Sequence, residues 1–188
     1  MTTIRTFGKL ILSILVVTSL VMSCTKEDPH ELPDCFTSEA GFDPQNCSTE
    51  GKCSFNYYPD KKLIIHNEND NLWMETEDGD NLIFHFQYDK NDSPYIADDE
   101  YSEAIWFEVS PTDDTFRIDL DILSQGRVLF NRMCFCVDGG FHWVFGGCIF
   151  GKKQNDNTWT VWLSIESTTN YATYQWMKKA DFKSGTLD

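Results

Sequence analysis

Residues 115–122, "TFRIDLDI", alternate without a break: Phe116, Ile118, Leu120 and Ile122 are apolar, while Thr115, Arg117, Asp119 and Asp121 are polar. A period of two sends these sets to opposite faces of an extended chain, so the segment fits a half-buried strand and not a helix. The same period runs through "NLIFHFQY", with Leu82, Phe84, Phe86 and Tyr88 on one side, and through "TWTVWLSIES", with Trp159, Val161, Leu163 and Ile165. Turn-forming clusters separate such runs at 78–81, 111–114, 138–140 and 155–157. The pattern predicts an all-β chain, a single antiparallel β-sandwich or barrel-like domain. "NLWMETEDGDNLIFHFQY" is its best hairpin, with the turn expected around Asp78 to Asp80. No helical periodicity of useful length, internal repeat or second domain interrupts it.

The N-terminus follows a different rule. Residues 1–23 carry Arg5 and Lys9, no acid, and an apolar run from Leu10 to Met22, which is the layout of a secretory signal peptide. The run is too short to span a bilayer, which takes about 20 apolar residues. Val21-Met22-Ser23 before Cys24 resembles a bacterial lipobox, which implies cleavage before Cys24 and a diacylglyceryl group on its sulfur. An ordinary signal peptide, cut after a small residue and leaving Cys24 as a spare thiol, is the alternative. Thr25-Lys26-Glu27-Asp28 resembles the export signal of surface lipoproteins in Bacteroidota. Residues 24–33, with Pro29 and Pro33, read as an acidic tether, and residues 34–188 as the folded domain. The acyl chains, and no protein span, then hold the chain to the membrane.

The 15 basic residues face 30 acidic ones, a net charge of −15 that grows more negative once Arg5 and Lys9 are removed. Nucleic acid and anionic headgroups are poor partners for such a surface, whereas a divalent cation, a neutral glycan or a basic protein is tolerated. Seven cysteines are an odd number. If lipid takes Cys24, then Cys35, Cys47, Cys53, Cys134, Cys136 and Cys148 remain for up to three disulfides that brace the domain. Cys134 and Cys136 share one face if extended, so each is expected to pair elsewhere, one with Cys148 and the other with the 35–53 segment. A soft-metal site on Cys134 and Cys136 is the competing reading.

From 81 to 163 the order of features, "IADDEYSEAIWFEVSP", "MCFCVDGG", "GCIFGKK" and "NTWTVWLSIE", resembles a group of uncharacterised Bacteroidota outer-membrane lipoproteins. The resemblance implies an all-β lipoprotein and brings no activity or site residues with it.

Three local patterns bear on function. In "DKNDSPYIADDE" the residues Asp89, Asn91, Ser93 and Glu100 have the spacing of oxygen ligands in a calcium loop. Pro94, with φ fixed near −65°, replaces the glycine that such a loop needs, and the alternative is an acidic surface loop in which Asp92, Asp98 and Asp99 stay in water. Trp73, Trp106 and Trp162 alternate away from the obvious core residues, as in a platform for sugar rings, unless a second layer buries them. Asp119 and Asp121 share a strand face, as a glycosidase pair would, although so acidic a chain offers such pairs by chance. His30, His66, His85 and His142 match no metal or hydrolase spacing, and no G-x-S-x-G elbow is present. The expected function is non-enzymatic, a binding or structural role of a lipoprotein on the outer membrane; the alternatives are a glycan-binding accessory protein of nutrient capture and an inhibitor or immunity lipoprotein that captures a basic protein. No cofactor beyond the calcium is expected.

Overall fold

The computed structural model describes residues 36, 43–44, 47–91, 100–119 and 127–187. The signal segment, Cys24, the tether with His30, Cys35, the loop residues Asp92, Ser93, Pro94, Asp98 and Asp99, and the strand positions Leu120, Asp121 and Ile122 lie outside them. All described residues belong to the unit Leu32–Asp188.

Ten strands follow one another with no helix among the described residues: β1 (Asp43–Pro44), β2 (Gly51–Glu68), β3 (Asn71–Lys90), β4 (Tyr101–Val109), β5 (Thr115–Ile118), β6 (Val128–Cys134), β7 (Gly140–Trp143), β8 (Gly146–Asn155), β9 (Thr158–Thr168) and β10 (Thr173–Ser184). The all-β class expected from the alternation is the observed one. They form one sheet in the order β5-β8-β9-β10-β2-β3-β4-β6-β7, which does not close on itself. Neighbours are antiparallel except at β10, which runs parallel to both β2 and β1. The sheet is therefore mixed, not purely antiparallel.

The β10–β2 seam is short, with Lys183 opposite Asn56 and Ser184 opposite Tyr57. Beyond it β2 leaves the edge of β10, and β1 takes over at Lys178 and Lys179. On either side of the seam lie two half-sheets whose inner faces pack together. The stripe Phe84, Phe86, Ile105, Phe107, Val128 and Phe130 from one half meets Ile149, Trp159, Val161, Leu163, Ile165, Ala180 and Phe182 from the other. Phe84 is fully buried at the centre. Its ring lies parallel to Phe107 at 5.0 Å and edge-on to Phe182 at 5.5 Å and Trp159 at 5.9 Å. Such offset and edge-to-face pairs add to the area term that burial already supplies.

The expected turn at Asp78 to Asp80 is not a turn. Lys61 registers with both Asp78 and Asn81, so Gly79 and Asp80 are extra residues in a bulge within the continuous strand β3. The reversal comes at Asn69-Asp70, between paired Glu68 and Asn71, with φ of 51° and 63°. Two consecutive left-handed residues are what a tight two-residue hairpin requires, and Asn and Asp tolerate that region well. The expected turns at 111–114, 138–140 and 155–157 do separate strands.

The bulge turns the distal part of this hairpin, 61–78, into an arm over the outer face of its own half-sheet. The Leu63 amide donates to Glu108 of β4, a carboxylate that also binds Asn81 Nδ2 at 2.8 Å and Arg127. Leu63 packs with Tyr58 and Ile83, and Ile65, Met74 and Trp106 border that cluster. The His85 ring lies flat against Trp106 at 3.6 Å, and burial pushes its pKa down to about 4, so it is neutral at pH 7.

Replacing Phe84 with alanine removes the ring that touches both half-sheets. We expect a loss of about 3–5 kcal/mol in urea unfolding; a loss below about 1 kcal/mol, the size of an ordinary surface change, would show that the halves are held by something else.

Candidate functional site

Where β2 diverges from β10, the inner face opens into a cleft of about 300 Å³. Its walls are Cys53, Phe86 and Tyr88 on one side and Tyr174, Trp176 and Lys178 on the other, with Glu103 between them and Ser48 and Gln175 at the rim. The placement follows from alternation. Tyr101 and Glu103 continue the inward stripe of Ile105 and Phe107 on β4, and Arg132 continues that of Val128 and Phe130 on β6. Glu103 lies directly opposite Arg132 and next to Tyr88 in the sheet register. At this end the core stripe thus changes from apolar to charged.

A network fixes these groups. Glu103 accepts from the Tyr101 hydroxyl on one oxygen and from Trp176 Nε1 at 3.1 Å on the other. Arg132 Nη1 donates to Asp138 Oδ1 at 2.5 Å and to the Tyr174 hydroxyl, which in turn donates to the second oxygen of Asp138. The guanidinium also lies 5.2 Å from the Tyr101 ring centre and 5.0 Å from that of Tyr174. His142 ring nitrogen Nε2 meets the Asp138 carbonyl at 2.9 Å. Burial and the bond to Glu103 push the Tyr101 hydroxyl up to about 12, so it stays a donor at neutral pH. The Tyr174 hydroxyl is raised for the same two reasons, burial and its bond to Asp138. The Asp138 carboxyl is held below the usual range by the Tyr174 hydrogen bond and by Arg132, against the opposing effect of burial. The arrangement gives a slot with aromatic walls and hydrogen-bonding groups held in place beside it.

The tryptophans singled out in the sequence do not meet. Trp162 is 7% exposed, in a cluster with Phe36, Cys148 and Phe150 and with Lys179 Nζ 5.0 Å from its ring, so the expected wet face of β9 is covered there. Trp106 is half-buried against His85 and Tyr58 on the outer face of β4. Trp73 stacks on His66 at 4.7 Å on the arm. No common platform exists. The residues that do converge, Tyr88, Glu103, Tyr174 and Trp176, were missed because each sits in an otherwise ordinary strand; the legible trace was an acid and an arginine on stripes that should be apolar.

Of the calcium set, Asp89 lies within β3 and accepts from Gln87 Nε2 at 2.7 Å. Asn91 and Glu100 are exposed, on either side of the segment that holds Ser93 and lies outside the described residues. Asp119 forms an ion pair with Arg117 at 3.5 Å, while Asp121 lies outside the described residues.

The cysteines pair differently from expectation. Cys134 bonds Cys136, and Cys47 bonds Cys53. Cys148 is disulfide-bonded as well. An extended chain would keep Cys134 and Cys136 from each other, but β6 ends at Cys134 and the backbone bends at Phe135 and Cys136, bringing the Cα atoms to 5.2 Å. Cys134, Cys136 and Asp138 place three donor atoms within 4.8 Å of one another. Sulfurs bonded to each other are not thiolate ligands, and Asp138 is engaged by Arg132, so the oxidised loop does not suit a soft metal.

No protein-family model matches the chain, and no curated protein or solved structure matches it either.

Because the folded-state pKa of Asp138 is lowered, its stabilising effect is complete above the unfolded value of about 3.9 and is lost as pH falls through the lower folded value. Asp138→Asn should therefore unfold at lower urea than the parent at pH 7, with the gap narrowing as pH is taken from 5 towards 2. A gap independent of pH would mean that the carboxylate charge plays no part.

Proposed function

We propose that this chain is a lipid-anchored protein of the outer membrane, exposed at the cell surface, whose domain binds a short glycan in the cleft between β3–β4 and β10. The reading is carried by that cleft. Tyr88, Tyr174 and Trp176 supply aromatic surface against which the apolar face of a sugar ring can lie. Glu103 and Lys178 supply an acceptor and a donor for its hydroxyls, and a volume of about 300 Å³ suits one or two rings more than a long chain. Both Glu103 oxygens already accept a hydrogen bond, which fixes the carboxylate before a ligand arrives. Binding without bond cleavage is the role proposed for the cleft, and nutrient capture is the setting it fits.

The anchoring half of the proposal rests on residues 1–28: the signal-like run, the lipobox resemblance at 21–24 and the lysine-acid sequence after it. If it holds, cells fed a labelled fatty acid will incorporate label into the parent chain and not into Cys24→Ser. Label in the variant, or none in the parent, would remove the anchor.

For the cleft, the full chain in detergent should be titrated with neutral and acidic glycans while tryptophan emission is followed. A saturable change is expected with at least one glycan, weakened about tenfold by Glu103→Gln or Tyr174→Ala, the loss that goes with one well-placed contact. The change should be nearly insensitive to salt, unlike capture of a basic protein. Saturation that survives both substitutions would locate the ligand elsewhere.

A further inference from the structure

The loop after β6 departs from everything around it. Met133, Phe135 and Val137 are 63%, 91% and 79% exposed, in a sequence where the two residues between them, Cys134 and Cys136, form a disulfide. Val137 also lines a cavity of about 370 Å³ shared with Phe145 from the β7–β8 connection and Tyr171 from the β9–β10 connection, and these two are themselves 56% and 69% exposed. Exposed large apolar side chains scattered singly need no explanation, but a set gathered from three loops around one cavity marks a contact surface.

The disulfide at the edge of that surface is poorly suited to bracing the fold. A cross-link restrains the unfolded chain more as the loop it closes lengthens, and this one joins residues only two apart. It also ties together no two strands, since Cys136 follows β6 directly. Its sulfurs adjoin the Asp138 carboxylate, whose charge is offset by Arg132 at 2.5 Å, so a thiolate released there does not face an unpaired anion.

We infer that Cys134–Cys136 is an exchange site for thiol-bearing polypeptides with apolar side chains, held by the exposed Phe135 between the two cysteines and by the cavity rim of Val137, Phe145 and Tyr171. A substrate thiolate attacks one sulfur, the Cys134–Cys136 bond breaks, a mixed disulfide forms, and the departing cysteine leaves as a thiolate that takes a proton from water. A second thiolate of the same substrate then attacks the substrate sulfur of the mixed disulfide. That closes the substrate disulfide and releases the other cysteine. Two electrons pass from the substrate dithiol to the protein pair, and the reverse exchange with a low-molecular-weight disulfide of the glutathione class returns the pair to its oxidised form. This activity is independent of the cleft and of its ligand.

The test uses the oxidised full chain and an unstructured peptide carrying two cysteines and several apolar residues. Free thiols are alkylated at intervals and located by mass spectrometry, with oxidised glutathione added in a second stage. Alkylation should appear at Cys134 and Cys136 as the peptide is oxidised, and not at Cys47 or Cys53, then disappear when glutathione disulfide is supplied. Cys136→Ser, charged at Cys134 as a mixed disulfide with glutathione, should pass to a mixed disulfide with the peptide. Phe135→Asp should slow exchange with the peptide about tenfold, the effect of one lost apolar anchor, while leaving exchange with dithiothreitol unchanged. A pair that stays oxidised beside the peptide, or a peptide rate that Phe135→Asp does not alter, overturns the inference.

Discussion

The structure depends on contact between two half-sheets that backbone hydrogen bonding scarcely joins. The β10–β2 seam comprises two residue pairs, extended by the Gly185 amide to the Tyr57 carbonyl at 2.9 Å. Ladder bonds of that number, each with a net effect of about 1 kcal/mol, do not hold two faces of this size in register. The rings do. Phe84 touches Phe182 and Trp159 across the interface, and Phe130 meets Trp176 at 4.3 Å nearer the open end. Tyr57 adds one directional tie, its hydroxyl donating to the Asp156 carbonyl at 2.9 Å in the β8–β9 turn. Because aromatic packing fixes the spacing, the cleft can open where β2 diverges without the sheet coming apart.

Most polar groups at that open end are satisfied by one another before any ligand is present, although Arg132 Nε is buried with no hydrogen-bond partner among the described residues. Arg132 is central: it binds Asp138 and Tyr174 and lies against two tyrosine rings, while its cross-strand neighbour Glu103 is held from the other side by Tyr101 and Trp176. A buried charge without such partners is strongly destabilising. The same guanidinium stands behind both the cleft and the cysteine loop, so the two surfaces share a support although they present different chemistry.

Much of this was legible from local alternation. The inner stripes of β3 and β9 are the apolar sets of "NLIFHFQY" and "TWTVWLSIES", because a two-residue period has only one way to bury them. What failed were inferences that needed the third dimension. Asp78-Gly79-Asp80-Asn81 has turn composition, yet composition does not separate a reversal from a bulge, and Asn69-Asp70 was the better hairpin pair. Trp162 alternates away from the core of β9 but is covered by a cluster that includes Phe36, which is distant in sequence. Cys134 and Cys136 were assigned to a strand that ends at the first of them. The cleft left a fainter trace, Glu103 and Arg132 at inward positions, which alternation exposes only once β4 and β6 are known to be neighbours.

The position of β10 in the sheet also orders events in time. It is the last of the described strands, yet it lies between β9 and β2 in the middle of the sheet. A polypeptide that emerges from its N-terminus can form the β2–β3 hairpin early, but the opposite half-sheet cannot be seated until residues near 184 are free. Loop closure over that separation makes assembly slow relative to local pairing. If the chain is exported as proposed, such a delay would keep it extended during passage, and completion of β10 would be the event that commits it to its final shape.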